Sequence, residues 1–496
     1  MSILGISAGF HDAAVTVVDE GKILFAGHSE RYSKIKHDST LHHGLIEDAL
    51  KYGPIDSIAY YERPWLKKTR QLYAGQYSEL STPWTVAGIL KEQLPGFNLH
   101  KLPIKSYNHH LSHAAAGFQT SSFDYATVVV IDAIGEWDTI SIWSAEYVNG
   151  KAKYKRVWRQ TYPHSIGLMY SAFTQSVGLK PLDEEYILMG MAAWGKQQTW
   201  YQADQLKASL IEDEAAMIFK HNLHIGLPSK IISSWSDEDT ARAAQELTED
   251  LIASIMSKAW DLAPSPNLVY AGGVALNCTA NRILGEYFDN IWIMPNPGDA
   301  GSSLGAAALA YGRRLVWDNA FLGHNISGPY PTKDIISELV TNKIVGVANG
   351  RAEFGPRALG NRSLLADPRG PEIKDKVNEI KRRQKFRPFA PVVLEELADQ
   401  YFDMPRGWRN SPYMQVVARC KFPDQFPAIV HIDGTSRVQT VADDGSGIRR
   451  LLEQWFIWTD CPMLLNTSLN VRGEPMVNDR KDADRFEKLY RVKVVS

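Results

Sequence analysis

Cysteine is scarce in this sequence, and no charge of one sign dominates it. Three cysteines occur in 496 residues, Cys278, Cys420 and Cys461, and no two of them form a CxxC pair. That excludes a disulfide scaffold and a Cys-rich zinc site, and it fits a reduced, cytoplasmic setting. The 54 Lys and Arg against 56 Asp and Glu leave a net charge of -2, so nothing predicts a general polyanion binder, although a local basic groove stays open. No uninterrupted apolar run is long enough to span a bilayer, and the opening MSILGISAGFHDAA lacks the basic start and apolar run of a signal peptide. Internal repeats and low-complexity segments are absent as well. The expectation is a globular cytoplasmic protein with no membrane association.

What the sequence does carry is short apolar strands alternating with glycine turns. A length of 496 residues exceeds one ordinary hydrophobic core, so two domains are expected. Apolar runs at Ile3–Ile6, Ala13–Val18 and Ile23–Ala26, separated by turns, are how an actin- or sugar-kinase-like lobe begins. A helix is predicted around Gly44–Lys51 and a strand over Ser57–Tyr61. Ala126–Asp132 (ATVVVID) is a β-branched run ending in an acid, as in a buried strand. Asn267–Ala271 meets the turn Gly272-Gly273 and enters a predicted helix through Asn281. Ile291–Met294 leads into PNPGDAGSSLGAAALA, a polar turn before an Ala-rich helix. These units predict a second lobe whose strand ends and helix N-termini face a ligand cleft. A Gly/Pro-rich connection over Gly323–Lys333 places a boundary near residue 330, and a new strand begins at Ile344–Val347. The expected class is α/β, with domains 1–330 and 331–496.

His109 and His113 bracket HHLSH in a segment that reads as a helix, where positions i and i+4 stack on one face. Neutral imidazoles suit zinc, iron, copper or nickel, and two of them need further ligands. Alone, the two are equally well solvated or core histidines. Asp132, at the end of its strand, and Asp299, in the PGDAGSS turn, offer carboxylates from opposing lobes. Two histidines with one or two carboxylates and open positions form a catalytic divalent-metal pattern. The plainer readings are a helix N-cap for Asp299 and a turn former for Asp132. His11-Asp12 lies in the first turn, where His11 is a candidate general base or an ordinary turn histidine.

The C-terminal part concentrates arginines in Gly/Pro/Asn turns. NGRAEFGPRALGNRS carries Arg357 and Arg362, and KRRQKFRPFAP carries Lys385 and Arg387 as a Lys-x-Arg pair. DGTSRVQT adds Arg437, and LLNTSLNVRGEP adds Asn466, Ser468, Asn470 and Arg472. Guanidinium forks match phosphate oxygens, glycines let backbone N–H groups approach, and Ser/Asn groups complete a cradle. Several such turns in one domain predict a phosphate-rich ligand, whereas a single one would read as a solvated basic loop.

These residues resemble a known family nearly end to end. GISAGFHDAAVTVV, SERYSKIKHD, NHHLSHAAAGF, VIDAIGEW, HSIGLMYSAFT, AGGVALN, PGDAGSSLGAA, FGPRALGNRSLLADPR, KFRPFAP, DGTSRVQT and LLNTSLNVRGEP are similar, in order, to blocks of the NodU/CmcH-type O-carbamoyltransferases. The resemblance implies an actin/sugar-kinase-like (ASKHA) bilobal domain, similar to the metal subunit that makes threonylcarbamoyl-adenosine, followed by a YrdC-like domain. It implies that the C-terminal domain makes carbamoyl-adenylate from carbamoyl phosphate and ATP with Mg(II), with Arg357, Arg362, Lys385, Arg387, Arg437, Asn466, Ser468, Asn470 and Arg472 as the ligand set. It implies Fe(II), or another divalent metal in its place, on His109, His113, Asp132 and Asp299. Gly272, Gly273 and Asn277 would lie along the nucleotide, with Lys36 and His164 near the adenylate. His11, with Asp12 beside it, would deprotonate an acceptor hydroxyl. One departure stands out: DEEYILMG (Asp183–Gly190) has Glu and Tyr where the family pattern expects Gly-Glu-x-Lys.

The acceptor expected from the resemblance is a small hydroxylated metabolite such as a sugar or natural product. A hydroxymethyl pyrimidine, free or in nucleic acid, is the alternative within the same chemistry, and Tyr60–Tyr77, which interleaves aromatic and basic residues, keeps a nucleic-acid acceptor open. A tRNA-modifying factor and a non-catalytic ATP-binding protein are the readings from other classes. A homodimer is the expected assembly.

Overall fold

The computed structural model describes residues 1–196, 200–228, 231–232 and 235–496. Two five-stranded sheets in the first 300 residues share one strand order. The first comprises β1 (Ser2–Ser7), β2 (Ala14–Asp19), β3 (Lys22–His28), β4 (Ser57–Tyr60) and β5 (Ile104–Ser106), ordered β3-β2-β1-β4-β5. β1 to β3 pair antiparallel, while β4 and β5 add on parallel to β1. The second comprises β6 (Tyr125–Gly135), β7 (Asp138–Val148), β8 (Lys151–Thr161), β9 (Asn267–Ala271) and β10 (Asn290–Trp292), ordered β8-β7-β6-β9-β10. Its pairing signs repeat those of the first sheet. This duplicated order defines the bilobal actin/sugar-kinase architecture.

Helices knit the lobes together. In chain order the ones that matter are α1 (His109–Phe118), α2 (Ile166–Ser176), α3 (Glu185–Met191), α4 (Asp237–Leu262) and α5 (Ser302–Tyr311). α1 follows the first sheet, yet Ala114 and Phe118 pack on Val128, Val130 and Val269 of the second. α5 follows the second sheet, yet Leu304, Ala306 and Ala307 pack with Ile3, Leu4 and Val15 of the first. Between them the helices meet at Gly305, where a Cβ would lie 1.8 Å from the Ser112 carbonyl oxygen. Only glycine permits that approach. α2 and α4 cover the far face of the second sheet, burying Met169, Phe173, Leu247 and Leu251.

The C-terminal part is a mixed six-stranded sheet. Its strands are β11 (Ile344–Ala348), β12 (Arg362–Ala366), β13 (Ala390–Leu394), β14 (Gln439–Val441), β15 (Met463–Ser468) and β16 (Val494–Val495), ordered β14-β13-β15-β12-β11-β16. Val345, Leu364, Val392, Leu464 and Trp455 share its core. The segment around residues 404–417 reaches back onto the second lobe. There Trp408 Nε1 donates to the Asn281 carbonyl (3.0 Å) and Asn281 Nδ2 to the Gln415 carbonyl (2.8 Å).

Two elements differ from the sequence reading. The predicted connection over 323–333 begins inside a strand, Phe321–Ile326, which pairs antiparallel with Gly350–Glu353. Its glycine hides the alternation of an edge strand. The predicted helix through Asn281 is instead two 3-10 segments, Gly273–Leu276 and Ala280–Glu286, because the Asn277 side chain accepts from Ala280 N (3.0 Å) and breaks the turn between them. Among the described residues no helix is long and apolar enough to cross a membrane.

Candidate active site

Asn108 caps α1 by accepting from Leu111 N (3.1 Å), which starts the helix so that His109 and His113 share one buried face. Their Nε2 atoms are 3.0 Å apart. Asp132 lies where the β6–β7 ladder breaks between Ile131 and Gly135, turning its carboxylate out of the strand. Its Oδ2 is 3.3 Å from both Nε2 atoms. Asp299 comes from the turn before α5, with Oδ1 at 3.2 Å from His109 Nε2 and 3.3 Å from His113 Nε2. Outer partners aim both rings: His113 Nδ1 meets Ser302 Oγ at 3.1 Å, and His109 Nδ1 faces Glu62 at 3.5 Å.

The donor set fits a divalent metal. All four residues are buried, with ligand atoms within 4.8 Å of one another. Spacings of 3.0–3.3 Å are edge lengths of a coordination polyhedron with bonds of about 2.1 Å. Burial disfavours an imidazolium at His109, but Asp299 and Asp132 override it and hold the ring well above the ordinary range. Without a cation the two buried carboxylates must be neutralised by protons on the histidines, and a divalent cation replaces them. His110, the middle histidine of HHLSH, turns away to Ser141 Oγ (2.8 Å), and burial keeps it neutral.

Around this cluster the sequence candidates divide. His11 stands at the mouth, Nε2 3.7 Å from Asp299 Oδ2 and Nδ1 2.9 Å from Asp12 Oδ2. Lys36 pairs with Asp183 and lies 5.3 Å over the Tyr186 ring. Gly272, at φ +89, brings its backbone so close that a Cβ would sit 2.2 Å from the Ile131 carbonyl oxygen, and a Cβ on Gly273 would come within 3.1 Å of Asp132 Oδ1. Those glycines form the floor beside the ligands. Asn277 is turned inward, its amide exchanging two hydrogen bonds with Gln245 (3.0 and 3.1 Å). His164 accepts from Phe219 N through Nδ1 (3.1 Å), which commits one ring nitrogen to the fold.

Behind His109 sits Glu136, 2% exposed, with its carboxylate accepting from Arg63 N (2.6 Å) and Asn108 Nδ2 (2.7 Å). Burial nevertheless pushes it from 4.5 up to about 7. Between those values the folded chain holds a proton the unfolded chain has released, so stability falls as pH rises through this window, by roughly 3 kcal/mol in all. Glu136→Gln should flatten that slope. Urea unfolding of both proteins at about pH 5 and about pH 8 measures it.

In the aromatic and basic stretch Tyr60–Tyr77, Lys67, Lys68 and Arg70 are directed inward, while Arg63 is exposed. Lys67 bonds Glu62 (3.0 Å), Lys68 bonds the Glu79 carbonyl and Thr82, and Arg70 donates to the Glu136 carbonyl (3.3 Å) and Gln76 (2.7 Å).

A second constellation lies in the C-terminal sheet. Arg357, Arg383, Arg387 and Arg437 form one electrostatic cluster, and among the described residues no carboxylate forms an ion pair with any of them. Burial, then Arg437, lowers Arg357 to about 9, and burial, then Arg387 and Arg437, lowers Arg383 well below its ordinary range. Such a cluster calls for an anion. Arg387 lies 4.8 Å over the ring of Tyr186, which also meets Lys36 at 5.3 Å, so one tyrosine of α3 touches cations from both parts of the chain.

Three arginine and lysine assignments change. Arg362 is fully buried, and its guanidinium donates to the carbonyls of Asn478, Asn349, Gly350, Asn361 and His324 at 2.9–3.2 Å, leaving nothing for a phosphate. Lys385 is exposed, 3.7 Å from Glu379. The lysine that meets Ser468 and Asn470 is Lys381, four residues earlier, with Nζ 3.1 Å from Ser468 Oγ and 2.8 Å from Asn470 Oδ1. The segment KRRQKFR contains two successive Lys-x-Arg pairs, and Lys381/Arg383 is the buried one. Arg472 ion-pairs with Glu184 of the N-terminal part (2.9 Å). Asn466 donates to the Ala358 carbonyl and Gln439, and its Oδ1 is buried without a partner.

The N-terminal part thus holds a metal-type His/Asp cluster, and the C-terminal part holds an arginine cluster with no ion-pair partner among the described residues. The carbamoyltransferase N-terminus family model matches residues 2–308 and the carbamoyltransferase C-terminus model residues 336–495, so the chain belongs to the carbamoyltransferase family and is a transferase. An uncharacterized protein of Synechocystis is 33% identical over 97% of this chain and 93% of its own. Nodulation protein NolNO of Sinorhizobium fredii is 29% identical, covering 95% and 76%. Nodulation protein U of Bradyrhizobium diazoefficiens is 27% identical over 99% and 96%. Among solved structures, HypF of T. kodakarensis aligns with 62% of this chain and 48% of its own at 13% identity and a TM-score of 0.39, so the architecture rests on the strand order given above.

Proposed function

We propose that the protein is an O-carbamoyltransferase working in two stages, with residues 331–496 as a YrdC-like activating domain and residues 1–330 as the transfer domain. The observation that carries this reading is the presence in one chain of a buried His/Asp quartet and an arginine cluster with no ion-pair partner among the described residues, with Tyr186 touching both Arg387 and Lys36. In the first stage carbamoyl phosphate, water and ATP with Mg(II) give carbamoyl-adenylate, phosphate and pyrophosphate. Arg357, Arg383, Arg387 and Arg437 bind the phosphate oxygens, and Lys381 with Ser468 and Asn470 orients the carbamate.

In the second stage the acceptor hydroxyl attacks the carbamoyl carbon. The new C–O bond gives a carbamate ester, and cleavage of the old one releases AMP. His11 takes the hydroxyl proton at Nε2, while Asp12 holds Nδ1–H. Fe(II), or another divalent metal on His109, His113, Asp132 and Asp299, supplies Lewis acidity for the carbonyl. Gly272 and Gly273 admit the nucleotide close to the backbone, and the buried setting keeps water from the reactive mixed anhydride. A small hydroxylated metabolite is the acceptor this reading favours, because Lys67, Lys68 and Arg70 of Tyr60–Tyr77 bond within the protein and leave Arg63 as the one exposed cation of that stretch.

Incubation with ATP and carbamoyl phosphate should release pyrophosphate, and adding a hydroxylated acceptor should release AMP with a carbamoyl mass gain on the acceptor. A metal-loaded protein that yields no pyrophosphate would overturn the activation step. Pyrophosphate without a carbamoylated product from any of a panel of metabolites, nucleosides and DNA would overturn the transfer step.

A further inference from the structure

We infer that His37 and Asp183 are positioning residues for His11, the outer members of a line of side chains running Asp183–His37–Asp12–His11 to the edge of the metal-type cluster. The inference rests on the reading of His11 as the base. Neither His37 nor Asp183 belongs to the candidate set drawn from the sequence, and Asp183 opens the segment that departs from the family pattern.

The geometry is continuous. Asp183 Oδ1 lies 3.0 Å from His37 Nε2, His37 Nδ1 lies 2.7 Å from Asp12 Oδ1, and Asp12 Oδ2 lies 2.9 Å from His11 Nδ1. Lys36 and Lys180 hold Asp183 in turn, the latter at 3.1 Å. His37 therefore stands between two carboxylates, and each ring nitrogen faces an acceptor. Both nitrogens can be satisfied only if both carry protons, which makes His37 an imidazolium wedged against Asp12. Lys36 opposes that charge, but Asp12 and Asp183 outweigh both Lys36 and burial. Glu30 adds a third acid by accepting from His37 N (3.1 Å).

The backbone is arranged to make this contact. Asp12 and His37 both occupy the left-handed region, at φ 52 and φ 56, a conformation that costs non-glycine residues roughly 1 kcal/mol or more each. Their loops are held together by Gly9 N donating to the Ser39 carbonyl (2.9 Å) and Ala13 N to the Asp38 carbonyl (2.7 Å). With Oδ1 fixed by His37, Asp12 presents only Oδ2 to His11. His11 Nδ1 is thereby held on that oxygen and Nε2 is turned into the cleft, where Asp299 Oδ2 lies 3.7 Å away. Without His37 the Asp12 carboxylate is free to rotate, and His11 loses its aim.

The test uses the full-length metal-loaded protein carrying 15N-histidine, with glycerol as the probe hydroxyl. In wild type, nitrogen NMR should show His37 doubly protonated. His37→Ala and Asp183→Asn should each lower kcat for glycerol-dependent AMP release by about 10- to 100-fold at little change in KM. They should also shift the His11 Nδ1 resonance as its hydrogen bond to Asp12 loosens and keep the single-turnover pyrophosphate burst, and added imidazole should restore part of the His37→Ala rate. An unchanged His11 Nδ1 resonance in both variants, or a neutral His37 in wild type, overturns the inference. The NMR readout stands even if wild type makes no pyrophosphate, so failure of the carbamoyl-transfer reading and failure of the relay are told apart.

Discussion

Replacing His109 or His113 by alanine should strip the bound metal and slow carbamoyl transfer by roughly 10²- to 10³-fold or more, while the pyrophosphate burst survives. Each imidazole supplies one of four donors in a buried cluster, so its loss leaves an incomplete ligand set and two carboxylates with half their compensation. On the proposed reading pyrophosphate is made at the arginine cluster, so its yield should not change. Elemental analysis of the purified variants, together with separate assays for pyrophosphate and AMP, checks both halves. Loss of both products together would contradict the division into two centres. Ser302→Ala, which removes only the outer partner of His113 Nδ1, should weaken metal binding by about 10-fold or more without abolishing it.

Arg362→Met should destabilise the C-terminal part by about 4–5 kcal/mol, whereas Lys385→Ala should stay within about 0.5 kcal/mol of wild type. The two residues look alike in the sequence, as cations in Gly- or Pro-containing turns. Arg362 is the strut of its domain: it gathers carbonyls from four segments, and their loss would leave buried acceptors without donors. Lys385 reaches only solvent and a distant glutamate. Urea unfolding measures the first effect, and adenylate formation by Lys385→Ala, expected at the wild-type rate, measures the second. A silent Arg362→Met would mean that the carbonyls find water instead.

What could be read in the sequence follows from how local each signal is. The 3.6-residue period of a helix puts His109 and His113 on one face without any tertiary knowledge, and a β-branched run ending in Asp132 announces a strand end. Asp299 was reachable because a polar turn before an Ala-rich helix has one obvious exit. His37 and Asp183 were not, since their contact joins loops 146 residues apart. The choice between Lys381 and Lys385 turns on where the helix Glu372–Ile380 stops and on Arg382 taking φ 50, which swings the next residues to the opposite side. For Arg362, nothing in a Gly/Asn-rich sequence tells a strut from a phosphate ligand; only burial does. Strand identity was legible for β1 to β4, whose apolar runs are mostly buried, but not for β5, whose three residues are partly exposed, nor for Phe321–Ile326, which lies on an edge.

The exchanged helices carry one more implication. α1 is anchored in the core of the second lobe and α5 in that of the first, and they touch at a glycine with no room to slide. Any hinge motion of the two lobes must therefore turn about that contact, much as a door turns about its pin. The quartet sits on the pin: two ligands come from the start of α1, one from the turn that enters α5, and one from the strand beneath. His11 on one lobe and Gly273 on the other stand immediately beside it. Opening the cleft would part the lobes beyond them to admit or release nucleotide and acceptor, while the coordination sphere stays nearly still. A metal placed at the axle can remain bound through every turnover.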